Sequence, residues 1–68
     1  MNWKKLKADH GLAGANILIR PEEGQPRYRN GVVKSIDDIH VCLIINGMFE
    51  YYLKISDGWL YVNIDEIK

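Results

Sequence analysis

The chain has 68 residues, 47% of them hydrophobic and 26% charged, with nine basic and nine acidic residues and a formal net charge of zero. That length holds one domain with a thin core, and the balance excludes a disordered chain. Cys42 is the lone cysteine, which excludes an internal disulfide, and no stretch approaches the roughly 18 apolar residues of a membrane span.

A soluble cytoplasmic protein is therefore expected, since the opening MNWKKLKADHG lacks the apolar run of a signal peptide. Charge is unevenly spread. Residues 1–34 carry seven basic against three acidic groups, and residues 35–68 carry two against six. Interleaved in one fold, these give a mixed surface of ordinary solubility; kept apart, they would steer partners.

In chain order, Asn2 is expected to cap a short helix from Trp3 to about His10, ended by Gly11. Trp3 and Leu6 would face inward and Lys4, Lys5 and Lys7 outward, making residues 1–14 a helical arm on a domain spanning 15–68. Asn16 to Arg20, NILIR, alternates as a strand and stops at Pro21, which cannot donate to a ladder. PEEGQP, from Pro21 to Pro26, is a loop. Tyr28 to Ile36 returns to β character, with Gly31 at a bend or a close backbone approach and a bulge at the adjacent Val32 and Val33. Around Asp37-Asp38 the register stays open.

Period two is plain from Ile39 to Ile45 and from Phe49 to Ile55. Between them, Asn46-Gly47-Met48 is expected as a three-residue loop. It sets Ile45 opposite Phe49, Leu43 opposite Tyr51 and Val41 opposite Leu53, whereas a two-residue loop would put Leu43 against Glu50. Asp57-Gly58 suits a two-residue primed turn, pairing Ile55 with Leu60, Leu53 with Val62 and Tyr51 with Ile64. Ile64 and Ile67, three apart, suit a short helical turn near the end.

NILIRPEEGQPRYRNGVV, the two tight hairpins and LYVNIDEI together resemble an SH3-like small barrel of the Tudor and KOW shape, from about Ala15 to Lys68. The resemblance implies a mainly β, five-stranded antiparallel barrel with the short N-terminal helix attached, and it implies shape alone. An OB-like barrel, or a four-stranded sheet packed on the helix, is the second architecture. One enzyme family with such a barrel, the plasmid-borne dihydrofolate reductases, uses a Val-Gln-Ile-Tyr stretch. Trp59-Leu60-Tyr61-Val62 stands at the comparable place without the Gln, so that activity is not carried over.

Chemistry-bearing patterns are sparse. His40 and Cys42 share a strand face but fall short of the four ligands of a structural zinc site. Asp37-Asp38 and Asp65-Glu66 suit turn formers, and single glycines make no phosphate cradle. A non-enzymatic protein without cofactor is the expectation. Its partner-binding residues would be Tyr52, Lys54, Trp59 and Tyr61 on the outward face of the last hairpin, with His40 beside them, because Trp and Tyr are common interface anchors. The partner would be another protein or a second copy of the chain. The alternative is nucleic-acid binding through Arg20, Arg27, Tyr28, Arg29 and Lys34, although Glu22 and Glu23 lie within that loop. Small stand-alone barrels of this kind are the sort of product phages and mobile elements encode.

Overall fold

The structure, a computed structural model, describes residues 2–25 and 27–66. Alternating, β-branched and aromatic stretches become strands: β1 (Lys4–Lys5), β2 (Asn16–Pro21), β3 (Arg29–Ile36), β4 (His40–Ile45), β5 (Phe49–Lys54) and β6 (Trp59–Asn63). All six lie antiparallel in one sheet, in the spatial order β1-β6-β2-β3-β4-β5. Single 3-10 turns at His10–Leu12, Ile55–Asp57 and Ile64–Glu66 complete the described residues, and none of them is α-helical. Among the described residues, no helix is long and apolar enough to cross a membrane.

With no helix to pack on, the sheet must supply both walls of its core, and it curls. Packed sheet layers stand about 10 Å apart, and the shortest dimension of this molecule, 21 Å, leaves room for two. The concave face gathers Ile17, Ile19, Val33, Ile36, Val41, Leu43 and Leu53, with Leu6 and Leu12 closing it from the N-terminal segment. Each such side chain contributes about 1.5–3 kcal/mol on burial.

The β4–β5 hairpin forms as the alternation requires, with Ile45 opposite Phe49, Leu43 opposite Tyr51 and Val41 opposite Leu53. Its loop is three residues long, and Gly47 takes a φ of 73° after Asn46 at 56°. Gly31 is a close approach: a β-carbon there would stand 3.0 Å from the Ile44 carbonyl oxygen. The β3–β4 register shifts between Val33 and Ser35, so the bulge falls at Lys34, one residue beyond the valine pair. Asp37 closes the β3–β4 turn, its carboxylate accepting from the backbone amides of Ile39 (2.7 Å) and His40 (2.6 Å). The terminal turn forms at Ile64–Glu66, while Ile67 lies outside the described residues.

Three expectations are corrected. The segment after Asn2 is not a helix. Lys4 and Lys5 pair with Tyr61 and Leu60, and the Leu6 amide donates to the Trp59 carbonyl at 2.8 Å. An isolated helix of that length is marginal in water, whereas the open edge of β6 offers backbone partners at once. Strand geometry then sends Leu6 to the core and Trp3 to the opposite face. The sheet accordingly has six strands rather than five, and it is not closed into a barrel.

The third correction concerns Asp57-Gly58, which makes no hairpin. Ile55–Asp57 winds into a 3-10 turn, and β6 leaves β5 to pair with β2, setting Ile19 opposite Tyr61 and Leu18 opposite Val62. Directly opposed residues share a face, so Trp59 and Tyr61 pack against the core while Leu60 and Val62 turn to the other side.

Candidate protein interface

The two edges of the sheet are unlike. β1 is two residues long and both are lysines, a combination that discourages further strand pairing. β5 is six residues long, stands last in the order, and among the described residues has no strand on its outer side. Next to it, Met48, Phe49 and Tyr52 are 71%, 60% and 62% exposed. A long free edge flanked by exposed apolar side chains is the feature most soluble sheets avoid.

Ladder alternation identifies the open backbone groups of β5. Just beyond the hairpin, the Ile55 amide donates to the Ile39 carbonyl at 2.9 Å. In an antiparallel pair the bonded positions alternate. The amides and carbonyls of Leu53, Tyr51 and Phe49 therefore point to β4, and those of Glu50, Tyr52 and Lys54 point away from it. The Lys54 carbonyl confirms this direction, since it accepts from the Trp59 indole at 2.9 Å rather than from β4.

Side chains on this edge form a small polar network. Glu50, Tyr52 and Lys54 share one face, opposite Ile44, Cys42 and His40. Glu50 holds the Lys34 ammonium with one carboxylate oxygen, and the Tyr52 hydroxyl donates to the other at 3.3 Å. The ion pair lowers the Glu50 pKa and raises that of Lys34, in both cases through their mutual hydrogen bond first and their charges second. Tyr52 is raised above the ordinary phenol value, mainly by the thiol of Cys42 and then by Glu50. At the far end of β4, the amides of His40 and Ile39 lower the Asp37 pKa by hydrogen bonding to its charged form.

Of the residues singled out from the sequence, Tyr52, Lys54 and His40 come together as expected on one exposed face, Lys54 directly opposite His40. Trp59 and Tyr61 do not join them. Both are half-buried on β6, and Trp59 meets the edge only through its bond to the Lys54 carbonyl. The other exposed apolar groups near this edge are Met48 in the hairpin loop and Phe49, which stands opposite Ile45 on the reverse face. Their signal was present in the chain: a third loop residue has no partner strand to cover it, and Phe49 is the first residue after the turn.

The basic set divides. Arg20 lies over the Trp3 ring at 5.7 Å, and Trp3 stacks on Tyr28 at 5.7 Å with an interplanar angle of 27°. Arg29 lies over the Tyr51 ring at 4.5 Å, and Arg27 is exposed. Lys34 is apart from these, neutralised by Glu50. An open cleft of about 580 Å³ lies between segments 5–8, 21–23 and 55–58, bridged by Lys5 and Glu22 at 4.0 Å. Charges of both signs line it, Lys5 and Lys7 against Glu22, Glu23 and Asp57. Among the described residues, no three His, Cys, Asp or Glu side chains group as a metal-binding set.

No protein-family model, no curated protein and no solved structure matches this chain.

Proposed function

We propose that this protein is a non-enzymatic cytoplasmic binding module that adds an extended segment, of another protein or of a second copy of the chain, to the free edge of β5. One observation carries the reading: the outward backbone groups of Glu50 and Tyr52 lie beside Met48, Phe49 and Tyr52, each at least 60% exposed. Main-chain bonds would give such an edge its affinity, and alternate side chains its selectivity. The SH3-like shape belongs to the same proposal. It is supported by β6 standing beside β2, by the succession β2-β3-β4-β5, and by the 3-10 turn between β5 and β6.

Pull-down from an extract of the source cells tests it, comparing the wild type with Tyr52→Lys and with Arg20→Ala/Arg29→Ala. Circular dichroism confirms that each variant is folded. Tyr52→Lys is expected to lose the captured protein while the arginine variant keeps it. The reverse pattern overturns the proposal.

A second reading has its own observation, the stacked Trp3–Tyr28 pair beneath Arg20, with Arg27 and with Arg29 over Tyr51. Aromatic rings beside guanidinium groups suit single-stranded nucleic acid. The zero net charge gives phosphate no general attraction, which ranks this reading second. Salt titration with labelled single-stranded DNA and RNA decides it, and no affinity at low salt eliminates it.

A further inference from the structure

We propose that the occupant of the β5 edge is the β5 strand of a second copy, paired antiparallel about a twofold axis at Tyr52. This rests on the edge reading above and adds the partner and the register.

Backbone alternation narrows the choice first. Only Glu50, Tyr52 and Lys54 present amides and carbonyls away from β4, so a second strand must pair even-numbered residues with even-numbered ones. Across a twofold axis, five registers centred on the segment from Glu50 to Lys54 then remain. Centred on Glu50 the two glutamates face each other, and centred on Lys54 the two lysines do. Centred on Tyr51, Glu50 meets Tyr52 and Lys54 meets Met48. Centred on Leu53, Lys54 meets Tyr52 and Glu50 meets Ser56. Centred on Tyr52, Glu50 of each copy faces Lys54 of the other, and only this register sets unlike charges opposite one another.

The remaining contacts agree with that register. Tyr52, 62% exposed in one copy, lies against its own counterpart on the axis. On the reverse face Tyr51 meets Leu53. Glu50 already binds Lys34, and a second cation from the partner leaves each carboxylate between two ammonium groups. Both Tyr52 amides find Tyr52 carbonyls, and both Lys54 amides find Glu50 carbonyls. The Lys54 carbonyl, shared with the Trp59 indole, still has a second lone pair for the Glu50 amide.

Sedimentation equilibrium on the full chain tests the register, with Lys54→Glu, Glu50→Lys and the double exchange Glu50→Lys/Lys54→Glu, all checked for folding by circular dichroism. Lys54→Glu is the cleaner single variant, since it leaves the Glu50–Lys34 pair intact. The wild type is expected to show a monomer–dimer equilibrium. Each single reversal should weaken it about tenfold or more, and the double exchange should restore it to within about threefold. Independently, in a Cys42→Ala background that removes the thiol opposite position 52, Tyr52→Cys should form a disulfide-linked dimer on mild oxidation faster than Phe49→Cys, because bonded antiparallel partners stand about 5.5 Å apart at Cα. A dimer indifferent to both reversals, or equal cross-linking at both positions, overturns the register. A wild type that stays monomeric at all concentrations overturns the self-pairing. If Tyr52→Lys nonetheless abolishes capture of a different protein, the edge reading survives that result; if it does not, both fall.

Discussion

Replacing Tyr61 and Tyr52 by alanine in turn separates an aromatic that builds the core from one that faces a partner. Tyr61 stands opposite Ile19 and packs against the core cluster, whereas Tyr52 is 62% exposed. A half-buried tyrosine removes about 100–150 Å² from water, or about 2.5–4 kcal/mol at 25 cal/mol per Å². Since the unfolded chain already hides part of that surface, about 2–3 kcal/mol is the expected loss for Tyr61→Ala. A domain of this size has roughly 3–10 kcal/mol in total, so the variant should remain folded but near its limit. With a urea slope of about 1 kcal/mol per M, the midpoint should fall by about 2 M, while Tyr52→Ala should move by no more than about 0.5 M. Urea titration followed by circular dichroism measures both. If Tyr61→Ala were neutral and Tyr52→Ala costly, the assignment of faces on β6 and β5 would be wrong.

Other consequences follow from close packing and charge. Gly31→Ala places a methyl group 3.0 Å from the Ile44 carbonyl oxygen and 3.3 Å from the Leu43 β-carbon. The β3–β4 ladder must part to admit it, so a loss of about 1–3 kcal/mol is expected in the same urea assay; a neutral result would show that the strands are farther apart than described. In acid, Asp37 and Glu50 have pKa values lowered in the folded state, so the unfolded chain binds more protons and stability falls as pH drops through the folded pKa values, below about pH 4. Asp37→Asn should flatten that acid limb, and a limb as steep as the wild type's would remove Asp37 as its cause. The raised Lys34 acts at the other end: its contribution is complete below the ordinary lysine value and is lost as pH rises through the folded one, an alkaline limb, shared with the raised Tyr52, that Lys34→Met should make shallower.

Local chemistry made the β4–β5 hairpin legible. Only one loop length keeps Leu43, Val41 and Leu53 on a common side, and Asn46-Gly47 supplies the left-handed residues that such a loop uses. The same holds for the close backbone approach at Gly31 and for the aspartate turn, whose carboxylate competes for its own backbone, whereas Pro21 stays in β2 as its last residue, opposite Trp59. Tyr52, Lys54 and His40 were found together because they belong to that hairpin. Trp59 and Tyr61 were not, because their grouping with it depended on a neighbour the alternation does not specify.

What the sequence by itself determined is therefore period and punctuation: the strand character of the segments that become β2 to β5, and the alignment of β4 with β5 across Asn46-Gly47-Met48. What the tertiary structure alone decided is the company each distant strand keeps. Both faces of β6 are apolar, Trp59 and Tyr61 on one and Leu60 and Val62 on the other, so the pattern could not say which would face the main cluster. Pairing with β2 set the half-buried aromatics beside Ile17 and Ile19, with Val62 buried on the opposite face. Lys4 and Lys5 likewise become a strand because β6 leaves an edge of unsatisfied amides and carbonyls beside them. Backbone hydrogen bonding requires a partner without naming one, and the choice belongs to the packing of the whole chain.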